Sequence, residues 1–327
     1  MQSAVLVGDV GGTSCRFALA IRNALGEIEL HERQKFAVAD YDHFNDAASH
    51  YLSGLNLRPT KAAFAFAGPK FVDAIQMTNV DWIVSENELC QTFSFESALV
   101  LNDFAAMASG TAVIGADGFQ MVINGEVDFS KSVAVLGPGT GLGVSCIVPS
   151  VVPGHPPAIL ATEGGHTGFA PQNELERHIL AHALQSHPYV ASETLICGPG
   201  MMRIYEAICY IFGKRKVCKT PAEIVAAAKA KPNSMAHRTV MTFCDILGGF
   251  AGNTALTMGA TGGVIVGGGV SRHIAPFIAE SDFEGHFKNK GSGAWYVKDI
   301  PVKLIVANFV PLYGAAALAL PVINKPA

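Results

Sequence analysis

The stretch AVLVGDVGGTSCRFALAI, residues 4–21, decides how the chain is read. Ala4–Val7 is a short apolar run of the kind that forms a buried strand, and Cys15–Ile21 resumes a second one, interrupted by Arg16. Between them lies the glycine-rich turn Gly8-Asp9-Val10-Gly11-Gly12-Thr13-Ser14. Strand, turn, strand is a hairpin, whereas the P-loop and the dinucleotide fingerprint both need a strand leading into a helix. Neither G-x-x-x-x-G-K-[ST] nor G-x-G-x-x-G occurs anywhere in the sequence. The turn still has the composition of a phosphate cradle. Glycine lets the backbone approach a ligand closely, and threonine adds a hydroxyl donor. Asp9 is the anomaly. A carboxylate beside phosphates is repulsive unless a divalent cation stands between them, which points to Mg²⁺, held directly or through water. The alternative is a turn-former that hydrogen-bonds its own loop.

The same design returns at VAVLGPGTGLGVSCIV, residues 133–148, with Gly139 and Thr140 in the turn. Two such hairpins predict two related α/β lobes, one spanning residues 1–110 with 308–327 and the other 111–307. Between the hairpins, residues 62–67 (AAFAFA) and 98–101 (ALVL) read as buried parallel strands. Helices are expected over 104–114, 173–186 and 236–259. GGVIVGGGVSRHI, residues 262–274, reads as a strand, the glycines Gly267, Gly268 and Gly269, and a helix start. The chain closes with a strand and a small-residue helix in VKLIVANFVPLYGAAALALPV.

Composition narrows the function. Of 327 residues, 50% are hydrophobic and 15% charged, a globular composition with a formal charge of −4. With pI near 6.2, it gives no electrostatic reason to expect nucleic acid or an anionic membrane surface. Mean hydropathy is +0.31, yet the apolar runs are broken by Gly, Pro, Thr or charge well short of the ~20 residues of a spanning helix. No basic segment with an apolar core precedes the first strand. Seven cysteines with no C-x-x-C pair suggest reduced thiols. A soluble, cytoplasmic protein is expected.

Three further places carry chemistry. In LNDFAA, residues 101–106, Asn102 and Asp103 stand where an apolar strand ends and a helix begins, which is where α/β folds place ligands. An Asp there is equally suited to capping the helix. In EGGH, residues 163–166, Glu163 and His166 flank two glycines and can converge on one ligand; with no Cys or second His nearby, the set is poor for a metal. Glu193, in ASETLICGPG, taken alone reads as solvated surface.

In sequence, GDVGGT, LNDFAA, LGPGTGLGV, EGGH, the GPG after Glu193, GGVIVGGGV and the closing IPVKLI…PLYGAAA resemble the ordered motifs of bacterial-type ATP-dependent glucokinases, from about residue 6 to residue 318. Single motifs are shared across the sugar kinase, actin and heat-shock ATPase superfamily, but the combination is specific. The cysteine-rich zinc motif of the related repressor/kinase sugar kinases has no counterpart here. The resemblance implies a two-lobed actin-like (ribonuclease H-like) fold with ATP and glucose in an interdomain cleft, and transfer of the ATP γ-phosphoryl group to the glucose 6-hydroxyl, the first step of glycolysis. It also implies a homodimer. Residue by residue, Asn102, Asp103, Glu163, His166 and Glu193 match the family's glucose positions, and Asp103 its catalytic base. Gly8, Asp9, Gly11, Gly12 and Thr13, with Gly139 and Thr140, match the phosphate turns, and Gly267, Gly268 and Gly269 the loop near the adenosine.

The departures are small. Ser14-Cys15 stand where the family often has Asn-Ala, Cys197 where Ser is usual, and Leu312-Tyr313 where Leu-Leu is common. Two other classes remain as alternatives. One is an assembly or chaperone ATPase on the same fold, which has no need of Asp103, EGGH and Glu193 together. The other is a sugar-responsive regulator, which needs a DNA-binding segment. Within the enzyme class, the runner-up is a kinase for mannose, fructose or glucosamine.

Overall fold

Val5–Val10 and Ser14–Arg22 form the expected antiparallel hairpin, with Val10 opposite Cys15 and Asp9 opposite Arg16. This is a computed structural model, and it describes residues 4–78, 80–152 and 154–320. The first strand also pairs in parallel with Lys61–Phe66, which pairs in parallel with Ser97–Asn102. Ile28–Ala37 adds an antiparallel edge to give a five-stranded sheet. A strand hydrogen-bonded on both sides within a sheet covered on both faces must be apolar throughout, which is why residues 5–7 form an unbroken run.

The alternation in KAAFAF sets the character of each face of that sheet. Phe64 and Phe66 point into a cluster with Leu6, Phe17, Phe44 and Tyr51, where Phe44 lies 5.0 Å from Phe64 and 4.9 Å from Phe66, edge to face. Such pairs add to the area they bury. Gly8 shares this face, and a Cβ on it would come within 2.6 Å of the Phe64 ring. The opposite face carries Val5, Val7, Ala18, Ala20 and Ala63, and the closing helix Val310–Ala319 packs on these small side chains. That helix also crosses Asp103–Thr111 at backbone distance: a Cβ on Gly314 would fall on the Ala106 carbonyl, and one on Gly110 on the Val310 carbonyl.

The second sheet repeats the scheme. Val133–Pro138 and Leu142–Val148 form an antiparallel hairpin extended by Ala158–Thr162. The first of these strands pairs in parallel with Gly263–Val266, and that strand pairs in parallel with Val302–Ile305. Phe119–Ile123 closes the far edge as a sixth, antiparallel strand. Three antiparallel strands followed by two parallel ones is thus common to both sheets, in the same order from the edge inward. The helices include Glu174–Ala183, Gly198–Ile211 and the long, mostly buried Met235–Met258. Glycines at 248 and 252 of the long helix bring it against the backbone of Phe283–Lys288.

The chain divides into two compact units, Met1–Ala116 with Ala307–Ala327, and Asp117–Val306. All seven cysteines are free; Cys15, Cys146, Cys197, Cys209 and Cys244 are buried, whereas Cys90 and Cys218 are partly accessible. Among the described residues no helix is long and apolar enough to cross a membrane.

The glycine crossing yields a stability prediction. Gly314→Ala should destabilise the protein by about 1–3 kcal/mol, because the added methyl must separate two helices that meet at their backbones. An unchanged urea midpoint would contradict this packing.

Candidate functional site

In the first unit the register gathers the site residues. Val10 aligns with Phe66, and Phe66 with Asn102, so three parallel strands end level with one another. The turn at Gly11–Thr13 and the Asn102–Asp103 pair therefore share one sheet edge, two strands apart, or roughly 10 Å at the usual interstrand spacing. This is the carboxyl edge, where open α/β sheets bind ligands. The turn is held by the Gly11 N–H donating to the Ser14 carbonyl at 3.0 Å and the Val38 N–H donating to the Thr13 carbonyl at 3.2 Å.

Asp9 does not lie in the turn but on the strand before it, which corrects the sequence reading. Its Oδ2 accepts from Arg16 Nη1 at 2.8 Å, across the hairpin. Burial pushes the Asp9 carboxyl above its ordinary range, and the Arg16 guanidinium works against that shift. Arg16 is the residue the sequence reading passed over. Once the turn is placed at residues 11–14, antiparallel register sets position 16 opposite position 9, so the pairing was accessible from spacing alone. Neighbouring Cys15 is no nucleophile: burial, with the Asp9 charge, pushes its thiol up to about 12. Among the described residues no group of three or more His, Cys, Asp or Glu forms a metal cage. A single carboxylate beside a glycine turn, with one oxygen on Arg16, nonetheless has the donor chemistry of a Mg²⁺ site, since that ion keeps several waters and is usually held by one or two carboxylates together with substrate phosphates.

The cap of the helix Asp103–Thr111 is Asn102, not Asp103. Asn102 Oδ1 accepts from the Phe104 and Ala105 N–H groups at 3.0 and 3.1 Å, while its Nδ2 donates to the Gly68 carbonyl at 3.0 Å. Asp103 occupies the first helical position, and its Oδ1 accepts from the Phe104 N–H at 2.9 Å. The capping role weighed for Asp103 is therefore filled by its neighbour.

The second unit assembles its residues at the equivalent edge. The glycine turn after Pro138 is closed by the Gly139 N–H donating to the Gly141 carbonyl at 2.7 Å. Gly267–Gly269 lies against it: the Gly267 N–H donates to Leu136 O at 2.7 Å and the Val270 N–H to Pro138 O at 3.0 Å. Gly268 has φ +88°, and a Cβ there would meet the Pro138 carbonyl, so glycine is required. The helix Gly198–Ile211 starts at the same turn, with the Gly198 N–H donating to Gly139 O at 2.9 Å. Its cap is Cys197, whose Sγ accepts from the Gly200 N–H at 3.2 Å. The thiol does the work of the expected serine, although sulfur is a weak acceptor.

Glu193 is no solvated surface residue. Its Oε2 accepts from the Leu142 N–H at 2.6 Å, at the foot of the second hairpin. Glu163 and His166 are both exposed, with His166 Nε2 3.7 Å from Glu163 Oε2. Gly165 lets their loop rest on the Leu142 carbonyl, so Glu163, His166 and Glu193 all gather around Leu142. Tyr189, also missed in the sequence, donates its hydroxyl to the His166 carbonyl at 3.2 Å.

Two glycine hairpins, each opening a sheet whose next strands run parallel, with carboxylates near the turns of both, make a two-unit α/β protein of the kind that nucleotide-dependent sugar kinases are built on. The family model for glucokinase matches residues 6–321, and the chain belongs to the glucokinase family. The chain is 37% identical over 312 residues, 95% of each chain, to the glucokinase of Hahella chejuensis. The solved structure of a glucokinase from an Antarctic psychrotroph superposes with a TM-score of 0.86 at 34% identity, covering 97% of this chain and 99% of that one. A ROK family glucokinase from Streptomyces griseus, solved with glucose and AMPPNP, shares the fold with a TM-score of 0.67 at 19% identity, covering 97% and 99%. The family match favours neither the assembly ATPase nor the regulator alternative.

The Asp9–Arg16 pair, with side chains 14% and 38% exposed, lies between a surface and a buried ion pair. Arg16→Met should cost about 1–3 kcal/mol. Because burial raises the Asp9 pKa, the uncompensated carboxyl can take a proton as pH falls. The stability gap to wild type should thus be larger at pH 8 than at pH 5. Urea midpoints at the two pH values test this, and an equal gap at both would show that Asp9 carries no buried charge.

Proposed function

We propose that the protein transfers the γ-phosphoryl group of ATP to the 6-hydroxyl of glucose, giving glucose 6-phosphate and ADP. The observation that carries this reading is the level ending of the strands at Val10, Phe66 and Asn102, which sets a carboxylate and a phosphate-type turn on one edge. The actin-like, ribonuclease H-like assignment with its interdomain cleft, cytoplasmic residence and a homodimer belong to the same proposal.

A sugar hydroxyl is a poor nucleophile, and Asp103 takes its proton as the bond to phosphorus forms. Asn102 Oδ1 is already engaged in capping, so this residue offers the sugar its remaining Nδ2 hydrogen and acts as a donor. Glu163 and Glu193 accept from sugar hydroxyls, and His166 completes the set, which holds the reactive oxygen in line with the phosphorus. The backbone N–H groups of Gly12 and Thr13 and of Thr140 receive the phosphates, Gly11 and Gly139 spend their own N–H groups closing the two turns, and Gly267–Gly269 borders the adenosine. Gly8, buried among the aromatic rings, acts through the shape of the strand. Mg²⁺ held at Asp9, directly or through water, would neutralise charge on the transferring group.

A coupled assay across glucose, mannose, fructose and glucosamine, with ATP as donor, tests the substrate; no glucose turnover would overturn the proposal. Asp103→Asn then separates base from scaffold. Since Asn102 caps the helix, the substitution should leave the melting temperature and glucose binding nearly unchanged. kcat should fall by about 10²–10⁴, the usual cost of losing a general base. Retention of more than about a tenth of kcat lies outside that range and would remove Asp103 from the role. Asp9→Asn should raise the Mg²⁺ concentration for half-maximal rate while calorimetric glucose affinity stays near wild type. An unchanged Mg²⁺ requirement would return Asp9 to a purely structural partner of Arg16.

A further inference from the structure

Below the Glu163–His166 loop the second unit buries a set of charges with no part in the chemistry above. Glu176, on the helix Glu174–Ala183, is 1% exposed. Its Oε1 lies 2.8 Å from His286 Nε2, and its Oε2 accepts from the Gln172 backbone N–H at 2.6 Å. On the other side of the imidazole, Nδ1 lies 3.0 Å from the Asp282 carbonyl and 3.1 Å from its carboxylate. Oxygen acceptors at both ring nitrogens favour the doubly protonated imidazole, with Asn173 Nδ2, itself bonded to Glu176 Oε1, 3.3 Å from Nε2. Burial lowers its pKa, but the Glu176 bond and charge overcome this and hold it up at about 9. Three other charged groups face the pair. They are Asp245 on the long helix, raised to about 6 by burial; Asp282; and Lys290, lowered to about 8 by burial, whose Nζ donates to the His286 carbonyl.

This cluster is not a ligand site. The cavity it borders, between Phe169, Gln172, Glu176, Ser192 and His286, measures about 10 Å³, room for about one water molecule. Its connections lead instead to the sugar residues. Gln172 Nε2 donates to the His286 carbonyl at 3.0 Å, and Asn289 Nδ2 donates to Gln172 Oε1 at 2.9 Å. The segment between His166 and Gln172 pairs with the segment leading to Glu193. The Phe169 N–H donates to Val190 O at 3.0 Å and the Ser192 N–H to Thr167 O at 2.7 Å, with Gly168 bridged to Ala191. A shift at Gln172 therefore moves one side of this pairing, and with it the spacing of His166 and Glu163 from Glu193.

We propose that the buried His286–Glu176 ion pair is a positioning device for glucose binding, acting through Gln172 and the 167–172 segment to fix Glu163 and His166 relative to Glu193. It rests on the glucokinase reading and extends it to residues that touch no substrate. His286→Leu strands a buried carboxylate and should raise the glucose KM about ten-fold, the lower end of what losing an outer partner of a binding residue costs. kcat and the ATP KM should change less than the glucose KM, since Asp103 belongs to the other unit and the pair bonds to neither glycine turn.

If His286→Leu does not fold, the double variant Glu176→Gln/His286→Gln carries the test, because it keeps hydrogen-bonding groups without charge. The wild-type glucose KM should rise as pH passes through about 9, where His286 loses its proton. That rise should be absent in the neutral double variant, in which Lys290 still titrates. A glucose KM within about two-fold of wild type in the folded variants, or the same alkaline rise in both proteins, would overturn the inference. Absence of sugar-dependent turnover in the wild type would instead overturn the glucokinase reading.

Discussion

Everything the first unit offers a substrate depends on three backbones ending level. Parallel pairing fixes Val10, Phe66 and Asn102 in one row, and the residues that follow each strand inherit that alignment. Such a row holds only while the strands keep register, and a one-residue slip would turn every side chain to the wrong face. The alternation of Phe and Ala in KAAFAF forbids that slip, because the rings would then meet the closing helix where only small side chains fit. Core packing thus holds the functional edge in place from below.

The second unit solves the same problem with more connections. Its glycine turn is tied to the start of Gly198–Ile211, to the Gly267–Gly269 loop and, through Leu142, to Glu193. Glu193 consequently has two duties. Its bond to the Leu142 N–H satisfies a donor at the end of the hairpin and orients the carboxylate, so this acidic residue is held as firmly as the backbone it binds.

Much of this was legible in the sequence. The two hairpins, the strands around residues 62–67 and 98–101 and the closing strand and helix all announce themselves, since buried strands in such folds are nearly continuous apolar runs. Helices expected at 173–186 and 236–259 appear as Glu174–Ala183 and Met235–Met258. Ile28–Ala37 gave no comparable signal. It is an edge strand with most side chains in solvent, so IELHERQKFA shows no buried face. At the site, residue types and order indicated which positions to examine, but not their local partners. Asp9 was read into a turn when it lies within the strand Val5–Val10, and the cap weighed for Asp103 belongs to Asn102. The pairing of Glu176 with His286 spans 110 positions, and no periodicity encodes a contact at that separation.

The distribution of thiols has a practical consequence. Five of the seven are sealed in the core and will react slowly with electrophiles. The two that remain, Cys90 and Cys218, fall one in each compact unit. The unmodified chain therefore already carries one accessible thiol in each unit for attaching a fluorescence energy-transfer pair, with no cysteine to introduce or remove.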